Sequence, residues 1–69
     1  MDERIENWFT YHAPTPEQVE CYNNLREAAK TFAYAIIANT PPSADQTAAL
    51  RLLRESVMTA NAAIACGGK

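Results

Sequence analysis

Between Ala44 and Cys66, the residues Leu50, Leu53, Val57, Ala60 and Ile64 recur at steps of three and four, the spacing that lines one side of an α-helix. Leu25, Ala28, Phe32 and Ala35 keep the same rhythm between Pro16 and Asn39, so two helices are expected to meet along these positions. Both open with a start signal. Thr15-Pro16-Glu17-Gln18 offers a capping hydroxyl, a proline where no N–H is required, an acid at the positive end of the helix dipole, and a glutamine to complete a capping box. Ser43-Ala44-Asp45-Gln46 repeats the pattern. Just before it, Pro41 and Pro42 lack N–H groups and clash with a preceding turn, which breaks the first long helix between Asn39 and Ser43. Gly67-Gly68 ends the second, because glycine enters the left-handed conformation without steric penalty. The expected helices, 16–39 and 44–66, are each roughly 35 Å long at 1.5 Å per residue. Matched lengths and a short link predict an antiparallel αα-hairpin. Residues 2–9 read as a short amphipathic helix, with Ile5, Trp8 and Phe9 able to lie on the hairpin.

The second long helix has one surplus. From Val57 to Cys66 it carries no charge on any side, whereas its first half holds Asp45, Arg51, Arg54 and Glu55. A helix apolar all round must be covered all round, and two long helices with a short one cannot enclose it. The fold expected is therefore all-α, a single domain over 1–69 whose hairpins assemble into a homo-oligomer. Size agrees: a chain of 69 residues buries only about 60% of its unfolded surface and ordinarily needs a staple or a partner. Of its hydrophobic residues, 13 are alanine, which favours close-packed helices over a large core.

Composition narrows the partners. Six basic and eight acidic residues give a net charge of −2, unlike a duplex-binding module with its basic face; long nucleic acid is disfavoured, a small anionic ligand is not. Met1-Asp2-Glu3-Arg4 lacks the basic and apolar regions of a signal peptide, and the longest apolar run, Phe32 to Ala38, is too short to span a bilayer. A soluble intracellular protein with no membrane association is expected. Cys21 and Cys66 lack metal-ligand spacing and are expected as small buried hydrophobes, with no metal and no cofactor.

No Ser-His-Asp order, glycine-rich phosphate loop or paired catalytic acids occur, so no catalytic residue is assigned. His12 is the one histidine; it has the proton-transfer range but no identifiable nucleophile or orienting partner, leaving a ligand or interface hydrogen bond, or plain packing. Tyr22, Arg26, Lys30 and Tyr34 stand at four-residue steps, two cations flanked by two aromatics on one slowly drifting stripe. Such a stripe suits phosphate and stacked bases; spacing alone favours an ordinary solvated face with tyrosines on lysine and arginine stems. Arg51 and Glu55 are spaced for a weak surface ion pair. Asn61, inside the charge-free segment, must find hydrogen bonds if buried, across a subunit boundary or to a ligand.

The strings Phe9-Thr10-Tyr11-His12-Ala13-Pro14-Thr15-Pro16-Glu17-Gln18, Leu25-Arg26-Glu27-Ala28-Ala29-Lys30 and Val57-Met58-Thr59-Ala60-Asn61-Ala62-Ala63-Ile64-Ala65 together resemble the helical hairpin domain shared by phage anti-CBASS and anti-Thoeris proteins. The resemblance covers nearly the whole chain. It implies a cyclic-nucleotide sponge in the host cytoplasm, a helical homo-hexamer that sequesters second messengers of bacterial immunity without cleaving them. It also implies a cyclic dinucleotide such as cGAMP bound between subunits, with Tyr11 as the stacking tyrosine, Arg26 as the basic residue and Lys30 as the reserve cation. His12 and Asn61 complete the candidate ligand-binding set. The same resemblance implies a separate site for cyclic trinucleotides at another subunit junction. There the chain departs from the pattern, with Cys66 where arginine is expected and Thr59 where many relatives have tryptophan. Two other readings stay open on the residues themselves: a structural helical module without a small-molecule ligand, and an enzyme degrading the messenger with His12 as base.

Overall fold

The computed structural model describes residues 2–69. The described chain is all-helical, with α1 at Glu3–Trp8, α2 at Pro16–Asn39 and α3 at Ala44–Ala65. α2 and α3 pack antiparallel as the predicted hairpin, in a body measuring 47 × 28 × 15 Å.

Local chemistry sets the boundaries. Asp2 caps α1 by accepting from the Arg4 N–H at 2.9 Å. Its carboxylate also takes the Arg4 guanidinium at 3.3 Å, which together with that N–H holds the acid below the usual carboxylate range. At α2 the capping box is reciprocal: Thr15 Oγ1 accepts from the Gln18 N–H at 3.2 Å, and Gln18 Oε1 accepts from the Thr15 N–H at 2.9 Å. At α3 only half of it forms. Ser43 Oγ accepts from the Gln46 N–H at 3.1 Å, but the Gln46 amide turns to the carbonyl and hydroxyl of Thr40 at 3.2 and 3.1 Å, closing the proline loop instead of the box. The C-terminus of α3 is a Schellman motif one residue earlier than expected, with Cys66 as the cap. Gly67 N–H donates to the Ile64 carbonyl and Gly68 N–H to the Ala63 carbonyl, at 3.2 and 2.9 Å. Gly67 makes this possible at φ 65°.

The seam matches the expected positions on α3, where Leu50, Leu53, Val57, Ala60 and Ile64 are half-buried. On α2 it is rotated. Leu25 lies in it, but the rest is Gln18, Tyr22, Ala29, Ala33 and Ile36, while Ala28 and Phe32 stand exposed at its rim, lining a groove with Leu53, Val57 and Ala60, and Ala35 is exposed. Facing Leu50, Leu53 and Val57, the small Ala29 and Ala33 admit the larger side chains of α3, whereas Phe32 in the seam would force the helices apart. Three further expectations are corrected. Phe9 is 82% exposed and does not lie on the hairpin. Cys21 is exposed; only Cys66 is partly covered. Arg51 and Glu55 do not pair, the ion pair among the described residues being Arg4–Asp2.

No side chain among the described residues is fully buried. The chain exposes 5665 Å², against about 4,300 Å² for a compact monomer of its mass. Its radius of gyration is 15.0 Å, against about 11 Å for a compact chain of this length. The charge-free half of α3 contributes: Met58, Thr59, Ala62 and Ala63 are exposed there. No helix of the described residues is long and apolar enough to cross a membrane.

Candidate functional site

One pole of the hairpin is tied together by polar contacts from the N-terminal segment to the end of α3. The Asn7 side-chain amide donates to the Cys66 carbonyl at 3.3 Å, and Trp8 Nε1–H donates to the Lys69 main-chain oxygen at 3.2 Å. Gln18 Nε2–H reaches the Ile64 carbonyl at 3.2 Å. The Ile64 and Cys66 carbonyls also receive the Gly67 and Lys69 N–H groups, so these side chains use the second lone pairs of acceptors freed at the helix end, and in doing so they fix the N-terminal segment.

His12 belongs to the same set. Its Nε2–H donates to the Asn7 carbonyl at 2.7 Å from a partly covered position. A carbonyl only accepts, which fixes Nε2 as the protonated nitrogen. The Thr10 hydroxyl likewise turns back, to the Glu6 carbonyl. Between them Tyr11 points away and is 85% exposed, an aromatic face carried on a segment whose neighbouring side chains are engaged.

The expected cations lie on the hairpin body. Arg26 Nη1 donates to Asn23 Oδ1 at 3.3 Å on an exposed face. It stands about 15 Å along α2 from the first residue of that helix. Lys30, one turn further on, lines a groove of about 300 Å³ with Arg54, over a floor of Ala29, Ala33, Leu50, Leu53, Val57 and Met58. Arg54 is therefore a second cation beside Lys30, and reading each helix separately does not reveal it; the antiparallel register brings the two together. The four-residue stripe is broken at one end, because its drift turns Tyr22 into the seam while Arg26, Lys30 and Tyr34 stay exposed.

Asn61 is partly covered on α3, and its Oδ1 is buried without a hydrogen-bond partner among the described residues. A buried, unpaired amide oxygen is costly. Thr59 and Cys66 line a cavity of about 290 Å³ beside Trp8, Ala62, Ala63 and Lys69. A larger cavity of about 600 Å³ opens between α1 and the chain's last turn, lined by Glu3, Arg4, Asn7, Cys66, Gly67 and Lys69. Neither Tyr11 nor Arg26 lines these concavities. A single chain thus offers an aromatic surface and a cationic surface, both open.

No curated protein and no solved structure gives a significant match to the chain. A family described as "Acb2/Tad1, hairpin domain" does match, over residues 1–65. That span takes in all three helices, from the cap of α1 through the exposed Tyr11 to Ala65 at the end of α3, and the chain belongs to the Acb2/Tad1 hairpin-domain family.

Proposed function

We propose that this protein binds and sequesters a cyclic dinucleotide second messenger, cGAMP-like, in a pocket completed by a further copy of the chain, and releases it chemically unchanged. The observation that carries this reading is the family match along 1–65; the family is one of phage cyclic-oligonucleotide-binding sponges, binding domains and not enzymes. The geometry supports it in three ways. Tyr11 offers an unobstructed ring for stacking on a base, and Arg26, with Lys30 and Arg54 as neighbouring cations, offers charge to phosphate. No side chain among the described residues is enclosed, so a ligand with two bases and two phosphates is enclosed only between copies. Asn61 Oδ1 awaits a donor that the described residues do not provide. The assembly we infer is a homo-hexamer of this single domain, acting in the host cytoplasm during infection.

Sequestration needs no turnover, only affinity: nanomolar binding corresponds to about −12 kcal/mol. In equilibrium dialysis against cGAMP, free ligand should fall to a fixed ratio per subunit and then stop, and denaturation should return the same molecule. Tyr11→Ala and Arg26→Ala should each weaken binding at least tenfold with unchanged oligomer size. Linear product beyond one equivalent per site would identify an enzyme and make His12 the first residue to replace. Failure of a cyclic-nucleotide panel to bind at all would leave a structural module.

A further inference from the structure

We propose that the segment carrying Tyr11 is a preset arm, and that His12 and Asn7 are positioning residues that act on the ligand through Tyr11 and do not touch it. This rests on the reading that Tyr11 contacts the ligand. The geometry behind it is independent of any ligand. Residues 9–15 lie outside the helices, and a free segment of seven residues would spread Tyr11 over many orientations, each lost on binding. Here the segment is fastened at both ends to one place. On its α1 side, Asn7 serves twice: its carbonyl receives His12 Nε2–H at 2.7 Å, and its side-chain amide donates to the Cys66 carbonyl at 3.3 Å. On its α2 side, Gln18 also serves twice, accepting from the Thr15 N–H at 2.9 Å and donating to the Ile64 carbonyl at 3.2 Å. Both anchors therefore grip the last turn of α3. Thr10 and His12 turn back to the Glu6 and Asn7 carbonyls, His12 from a partly covered position, and Tyr11 between them is left 85% exposed. His12 is spent as a donor in this arrangement, which removes its Nε2 from any role as catalytic base.

The arm should be rigid in the free protein. Nitrogen-15 relaxation of the ligand-free full chain should give Tyr11 an order parameter near that of the helices, about 0.85. His12→Ala should lower it below about 0.6, with helical circular dichroism unchanged because residue 12 lies outside the helices. His12→Gln, whose amide still donates, should restore it. An unaltered Tyr11 order parameter in His12→Ala would overturn the arm. The second measurement is a double-mutant cycle by titration calorimetry with cGAMP as probe. His12→Ala should weaken binding about tenfold in the presence of Tyr11 and less than twofold in the Tyr11→Ala background. Additive losses would mean that His12 touches the ligand itself and would overturn the positioning role. Failure of the unsubstituted chain to bind cGAMP would count against the ligand reading alone, and the relaxation measurement would still decide whether the arm exists.

Discussion

Asn61 puts an amide into a charge-free stretch of mostly alanine with valine, isoleucine, Met58, Thr59 and Cys66, and its covered oxygen has no donor among the described residues. If that donor comes from a neighbouring subunit, Asn61→Leu removes an intersubunit hydrogen bond and strands its partner, a loss of about 1–3 kcal/mol. The midpoint of assembly on dilution should then move to higher concentration by roughly fivefold to a hundredfold. A variant that melts at higher temperature with an unchanged midpoint would show that the oxygen is satisfied by no other subunit. The need of Asn61 was legible in the sequence because an amide in a charge-free segment has few local options. The partner of His12 was not. His12 stands five positions after Asn7, and the donor is a side chain meeting a backbone carbonyl, a contact that leaves no trace in residue type. Tyr11 and Arg26 could be named from the resemblance, while the pairing of Lys30 with Arg54 waits on register between helices.

The helix ends were the most readable elements, since capping depends on residues three or four apart. Thr15, Ser43 and Gly67 all act where the chain places them. Gln46 departs because Thr40, just before the prolines, offers two acceptors closer to hand than the box. Gly67 gives a clean test of the last turn. A Cβ added there meets nothing within 4 Å, so the cost of Gly67→Ala comes from its φ of 65° alone. About 1–2 kcal/mol of stability should be lost, measured by urea unfolding, and Gly67→Asn should lose less. The rotated seam on α2 was less readable, because alanines occur at 28, 29, 33 and 35 and periodicity alone fits two adjacent faces. Steric relief decided it: the face with Ala29 and Ala33 accepts α3 more closely than the face with Phe32.

At the level of the whole molecule, the excess of about 1,400 Å² over a compact monomer exceeds the roughly 800 Å² that each partner gives to a standard interface. Sedimentation velocity at micromolar concentration should therefore show a species larger than 7.6 kDa. Ala63→Glu should dissociate it. Ala63 is exposed in the single chain, where a glutamate would cost within about 0.5 kcal/mol, but buried without a partner in an interface it costs several kcal/mol. A folded monomer of the unsubstituted chain would remove the assembly and with it any pocket between copies. The body that would assemble is a blade 15 Å thick, the depth of hardly more than one helix with its side chains. Such a blade has two broad sides and almost no inside, so under the proposed assembly its outward positions carry the constraint that interiors carry elsewhere. Sequence drift would then be permitted chiefly at the polar loop around Pro41 and Pro42, far from the fastened pole, while outward alanines such as Ala62 and Ala63 would be as resistant to change as any buried leucine. In a population of variants, selection would thus trace the lines along which copies meet, and a tolerance map of this chain would be a contact map of its neighbours.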